Sequence, residues 1–272
     1  MSRRDYSAEI VSAARSVLLE VNRLLGEYAG QIVVIGGWVP DLLLPDAADH
    51  VGSIDVDLAL NHLQLDEIGY RSILEHLVSN GYRQGEHPFI FYRTFGQDAG
   101  EITVQVDFLA GELAGTGKSH RTQVVQGMRP RKARGVDIVF RSYETVTITG
   151  RLPEGGFDAA SIQVASIPAF LVMKGFAMAG RLKDKDPWDI YYCIRNYPGG
   201  TAKLIEKFRT LPSNDLVKEA LRNIAQKFSA PDAVGPIQVA NFEEPADPLE
   251  RELIRRDAFE RVRNFLNGLG VS

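Results

Sequence analysis

Two aspartates one residue apart, Asp55 and Asp57, are the first residues in this chain whose types and spacing could do chemistry. They lie in Ser53-Ile54-Asp55-Val56-Asp57-Leu58-Ala59, where apolar and polar residues alternate with the period of a strand. Residues two apart on a strand share a face with Cα atoms roughly 6.5 Å apart, so two carboxylates there can converge on hard divalent cations. A third acid, Asp107, ends the alternation Val104-Gln105-Val106-Asp107-Phe108, and an adjacent strand could present it to the same site. Three carboxylates suit a two-metal centre that activates an attacking oxygen and stabilises a leaving one in phosphoryl or nucleotidyl transfer. An isolated Asp-x-Asp is more often the wet side of an ordinary strand. What gives this one weight is the order of the elements around it.

Those elements can be read from periodicity. Apolar residues from Tyr6 to Tyr28 recur at the three-and-four spacing of an amphipathic helix. Gln31 to Ile35 is a β-branched run that stops at Gly36-Gly37, a pair that permits a tight turn and close backbone approach. A short helix over Val39 to Leu44 and the aspartate strand follow. Asp66 is placed to cap a helix that turns Ile68, Ile73, Leu74, Leu77 and Val78 inward and ends at Asn80-Gly81. Strands are expected near Phe89 to Phe95, Ile102 to Leu109 and Val136 to Phe140. Beyond Pro153-Glu154-Gly155-Gly156 the pattern becomes helical, over Ile167 to Leu182, Pro187 to Asn196, much of Thr201 to Phe228, and a last helix from Leu249. The prolines between Ser229 and Pro248 predict an extended connection. The expected architecture is α+β: residues 1–155 form a mixed sheet flanked by helices, and residues 156–272 a mostly helical domain.

With Ile35-Gly36-Gly37 followed by Asp55-Val56-Asp57, the chain resembles the DNA polymerase beta-like nucleotidyltransferase superfamily. Its spacer between glycines and acids is longer than usual there, and Trp38 stands where a small or polar residue is common. The resemblance implies that Gly36 and Gly37 accommodate nucleotide phosphates beside Ser53, that Asp55 and Asp57 hold magnesium, and that Asp107, a third metal ligand, helps activate the acceptor oxygen. In the second half, Lys174-Gly175-Phe176-Ala177 followed by Arg181, Lys183, Lys185, Asp186 and Asp189 is similar to the AbiEii-like branch, which includes toxins of toxin–antitoxin pairs. That similarity implies catalytic roles for Lys174, Asp186 and Asp189 and nucleotide contacts for Arg181 and Lys183. For Asp186 and Asp189 at a helix start, capping and dipole compensation are an equally good account. For Lys174 among apolar residues, a functional role neutralising triphosphate charge is favoured, because burying a lysine without an anion is costly.

Together these readings predict a magnesium-dependent transferase that moves a nucleotidyl group from a nucleoside triphosphate to RNA, protein or a small molecule, with an antitoxin protein as an implied partner. The alternatives are a binding member of the fold without turnover and a small-molecule adenylyltransferase. A net charge of −4 gives no global attraction to polyanions, so RNA would have to meet a local patch such as Lys118, Arg121, Arg129, Arg131, Lys132 and Arg134. Gly115-Thr116-Gly117-Lys118-Ser119 lacks the first glycine of a P-loop, Glu112 standing in its place. The five histidines, His50, His62, His76, His87 and His120, show no metal-ligand spacing. A single cysteine and the absence of a long apolar run predict a cytoplasmic protein without membrane insertion.

Overall fold

The computed structural model describes residues 2–271 apart from 48–49, 62, 66, 98–99, 112–130 and 213. Asp66, Lys118, Arg121, Arg129, the Gly115 to Ser119 segment, His62 and His120 therefore lie outside the described residues. The fold is α+β, and its contacts divide it into a sheet unit, Ser7–Leu42 with Gly52–Ser166, and a helical unit, Met1–Tyr6 with Leu43–Val51 and Ile167–Ser272.

In the sheet unit the strands are β1 (Ile32–Ile35), β2 (Asp55–Leu60), β3 (Tyr82–Gln84), β4 (Ile90–Gln97), β5 (Gly100–Ala110), β6 (Arg131–Lys132), β7 (Tyr143–Arg151) and β8 (Phe157–Ala165). They form one mixed sheet in the order β3-β4-β5-β2-β1-β8-β7, with β6 paired to β5. β1 runs antiparallel to β2 and parallel to β8, while β2 runs parallel to β5. All of β1 is buried, as its unbroken Ile32-Val33-Val34-Ile35 run demands of a central strand. Helix α1 (Ala8–Leu24) starts where the Ser7 hydroxyl accepts from the Ile10 N–H, and it turns Ala13, Ala14, Val17, Leu18 and Val21 into the core. Helices α2 (Trp38–Leu43) and α3 (Glu67–Ser79) complete the unit.

Several sequence expectations are corrected here. Val136–Arg141 is a buried 3-10 turn rather than a strand, entered through Gly135 in the left-handed region at φ 86°. In α3 the inward residues are Tyr70, Ile73 and Leu77, whereas Ile68 and Val78 point to solvent. The hairpin of β7 and β8 is not among the expected strands, although Thr145-Val146-Thr147-Ile148-Thr149 alternates with a strand's period; the Pro153 to Gly156 stretch is its turn, with Gly155 and Gly156 at φ 91° and 85°. Because β8 pairs with β1 and β7, the contacts divide at Ser166 and Ile167 rather than at 155 and 156.

The helical unit contains α4 (Ile167–Gly180), α5 (Lys185–Asn196), α6 (Gly200–Phe208), α7 (Asp215–Lys227), α8 (Val234–Glu243) and α9 (Pro248–Gly268). The segment expected to be extended is largely α8, since Pro236 sits in its first turn, where the missing N–H would have had no helical partner anyway. Pro248 opens α9 behind Asp247, whose carboxylate accepts from the Leu249 N–H. Helices α4 and α7 meet at Gly175, where an added Cβ would lie 2.6 Å from the Ala220 carbonyl oxygen. Trp188, Phe228, Phe242 and Phe265 fill the core beneath. No helix of the described residues is long and apolar enough to cross a membrane.

Candidate active site

The aspartates occupy the face of β2 left over once its apolar residues are buried. Val56 and Leu58 are fully buried, while Asp55 and Asp57 on the opposite face are half-buried. Parallel pairing with β5 sets Asp57 opposite Asp107 and Asp55 opposite Gln105. Cross-strand partners share a face, so the three aspartates lie on one side of the sheet, Asp107 directly beside Asp57 and diagonal to Asp55. Asp57 also pairs with Ile35, the last residue of β1, which brings the glycine turn to the same end of the sheet. Gly36 adopts φ +71°, and a Cβ there would fall 2.0 Å from Asp57 Oδ2. Neither the backbone nor the carboxylate leaves room for a side chain.

Asp55 is clamped at both ends. Its side-chain Oδ1 accepts from the Ser53 hydroxyl at 2.5 Å, and its backbone carbonyl accepts from Trp38 Nε1 at 2.8 Å. The buried indole therefore ties the first turn of α2 to the first residue of β2. Across the strand, Asp107 Oδ1 accepts from Gln105 Nε2 at 2.8 Å. Burial pushes the Asp107 carboxyl above the ordinary carboxylate range and the charge of Asp55 adds to this, against the Gln105 bond and the Arg131 guanidinium.

No group of three or more His, Cys, Asp or Glu side chains among the described residues is gathered into a ready-made metal cluster. Two of the acids each give an oxygen to a neighbouring donor, Ser53 or Gln105. The donor set nonetheless suits a hard cation: all-oxygen ligands, one shared face, and an acid whose proton affinity is raised chiefly by burial and further by the charge of Asp55. Asp55, Asp57 and Asp107 are the residues that would hold it.

The basic and acidic residues of the second half form their own cluster within the helical unit. Lys174 on α4 is buried, with Nζ 2.7 Å from Asp186 Oδ1 and 2.7 Å from Asp189 Oδ2. That second contact is chiefly Coulombic, because Asp189 Oδ2 accepts no well-directed hydrogen bond. Arg181 grips Asp186 through Nε at 2.7 Å and Nη2 at 3.0 Å. Lys185, also buried, donates to Asp189 Oδ1 at 2.9 Å. Lys183 is half-buried on the loop between α4 and α5.

Burial alone would raise both carboxyls, yet Lys174 and Arg181 hold Asp186 down to about 2, and Lys174 with Lys185 holds Asp189 well below the usual range. Burial opposes the charge on Lys174, but its two carboxylates outweigh burial and raise its pKa. Lys185 goes the other way: burial and the nearby Lys174 lower its pKa further than Asp189 restores it. Asp186 and Asp189 do lie in the first turn and a half of α5, but their partners are lysines and an arginine rather than the helix's own N–H groups.

The structure thus brings together Gly36, Gly37, Ser53, Asp55, Asp57 and Asp107 in the sheet unit, and Lys174, Arg181, Asp186 and Asp189 in the helical unit. Sequence reasoning missed Trp38 and Gln105, which hold the acids. It also dismissed His50, whose Nε2 lies 3.3 Å from Asp189 Oδ1 while the ring packs on Trp188 and Tyr192. No local spacing announces a contact between residues so far apart in the chain. For Gln105 the signal was available: a polar residue two before Asp107 on one strand face.

No family model matches the sequence, no curated protein matches it, and no solved structure matches the fold.

Proposed function

We propose that the protein is a magnesium-dependent nucleotidyltransferase acting from a nucleoside triphosphate. The observation that carries the reading is the placement of Asp55, Asp57 and Asp107 on one sheet face beside a positive-φ glycine that admits no side chain. In this reading Asp55, Asp57 and Asp107 bind magnesium, which when bound supplies charge stabilisation to the reacting phosphate. Asp107, with its raised proton affinity, takes the proton of the acceptor hydroxyl. The Gly36-Gly37 turn lets backbone approach a phosphate closely, and Ser53 and Trp38 hold Asp55 in place. Within the helical unit, Lys174, Arg181 and Lys185 are held by Asp186 and Asp189, with the Arg181 side chain about half exposed.

The test is label transfer. Purified protein is incubated with magnesium, each α-labelled triphosphate in turn, and total RNA or cell lysate, beside an Asp55→Asn variant. The reading expects label on an acceptor with wild type and none with the variant. Triphosphate binding without any transfer would replace it with the binding-protein reading, and transfer that survives in Asp55→Asn would move the chemistry elsewhere. The toxin role is tested separately, by whether expression of the wild type slows growth and expression of Asp55→Asn does not.

A further inference from the structure

The two edges of the sheet are unlike. On one side β3 is only three residues long, a length that offers little to a passing strand. On the other side β7 runs nine residues, Tyr143–Arg151, in unbroken register with β8 and without proline, lysine or bulge. Of the usual devices that blunt an edge it carries only charges near its ends, Glu144 and Arg151.

The direction of its backbone groups follows from the hairpin. The Leu152 N–H donates to the Gly156 carbonyl and the Ser166 N–H to the Ser142 carbonyl, so bonded pairs with β8 recur at even-numbered positions of β7. Odd-numbered residues therefore direct their N–H and C=O groups away from β8, where no described strand receives them. The same odd positions, Tyr143, Thr145, Thr147, Thr149 and Arg151, are the exposed face. Phe157, opposite Arg151 on β8, shares that face and is 76% exposed.

We infer that β7 is a self-recognition edge, pairing antiparallel with β7 of a second copy of this chain about a two-fold axis at Thr147. In that register every outward-pointing residue meets another, giving on the order of ten backbone hydrogen bonds across the junction. Thr147 faces Thr147, Thr145 faces Thr149, and Tyr143 faces Arg151. Threonine pairs are favourable cross-strand neighbours, and no like charges oppose each other. At each end Arg151 would lie between Phe157 of its own chain and Tyr143 of the second copy, a cation flanked by two rings. This accounts for two large aromatic residues left in water at the ends of the edge. A strand from an unrelated protein would satisfy the hydrogen bonds but has no reason to supply this side-chain complement.

The full chain is examined by sedimentation velocity from about 1 to 200 μM, the range in which a single-strand junction is expected to associate. The wild type should move toward twice the monomer mass as concentration rises. Thr147→Lys and Thr147→Asp each set like charges against themselves and should remain monomeric at every concentration. An equimolar mixture of the two should recover the dimer, which a misfolded variant could not do. Thr147→Cys should form a covalent dimer on oxidation, since the native Cys193 is buried. A wild type that stays monomeric, single variants that dimerise as it does, or a mixture that stays monomeric while circular dichroism is unchanged would each overturn the inference.

Discussion

Replacing Asp189 by asparagine keeps the shape of a fully buried side chain and removes the charge that holds two buried lysines. In the variant Asp186 remains, but Arg181 already shares it, so Lys185 keeps no carboxylate at 2.9 Å. Breaking a buried ion pair from one side costs about 3–5 kcal/mol. The structure also sets a ceiling, because the lysine can shed its proton instead. From an ordinary value of 10.5, neutralising Lys185 at pH 7 costs about 1.4 kcal/mol per pH unit, hence about 5 kcal/mol. A loss of about 3–5 kcal/mol is therefore expected at pH 7. The pH dependence is the sharper signature. A lysine whose folded pKa is depressed binds fewer protons folded than unfolded, so its contribution becomes more favourable as pH rises toward 10.5. The gap between Asp189→Asn and wild type should thus narrow as pH goes from about 7 to 10. Urea unfolding followed by circular dichroism and by tryptophan fluorescence reads both quantities, Trp188 stacking directly on His50. A loss under about 1 kcal/mol, or a gap that does not change over that pH range, would falsify the assignment of Asp189 as the charge balance of this cluster.

Other consequences can be checked the same way. On the acid side, Asp186, held at about 2 against an ordinary 3.8, contributes roughly 2 kcal/mol that is present above the unfolded value and is lost as pH falls toward 2; Asp186→Asn should flatten that part of the stability profile. Gly36→Ala combines a left-handed backbone with a Cβ 2.0 Å from Asp57 Oδ2; it should cost about 1–3 kcal/mol and abolish label transfer, and a variant with wild-type activity would contradict the packing argument. Asp107→Asn should abolish transfer while raising the unfolding midpoint at pH 7, because a buried carboxyl with raised pKa is a destabilising charge when ionised. Trp38→Phe keeps the ring in the core but removes the 2.8 Å bond to Asp55; a loss of about 1 kcal/mol is expected, with kcat falling more than KM rises.

The elements that place the acids were legible because their signals are local. Period-two alternation around Asp55 and Asp57 survives as β2, and Gly36 does sit in the backbone conformation that glycine alone adopts freely. The amphipathic pattern of α1 and the helices from Ile167 onward could be read for the same reason. Where the reading failed, the local signal was overlooked or pointed elsewhere. The Thr-Val-Thr-Ile-Thr alternation of β7 was legible in the sequence, whereas prolines concealed α8 because one of them fell in a helical first turn.

What the sequence determined by itself is the identity of the acids, the face they share on one strand, and the glycine turn before them. Tertiary structure alone decided that Asp107 stands opposite Asp57, since register between residues fifty positions apart is set by packing of the whole sheet rather than by any neighbouring residue. It also decided that Lys174, read as a cation awaiting a phosphate, is already met by Asp186 and Asp189, and that His50 joins them. Charges buried by folding must find partners within reach, and reach is a property of the folded chain.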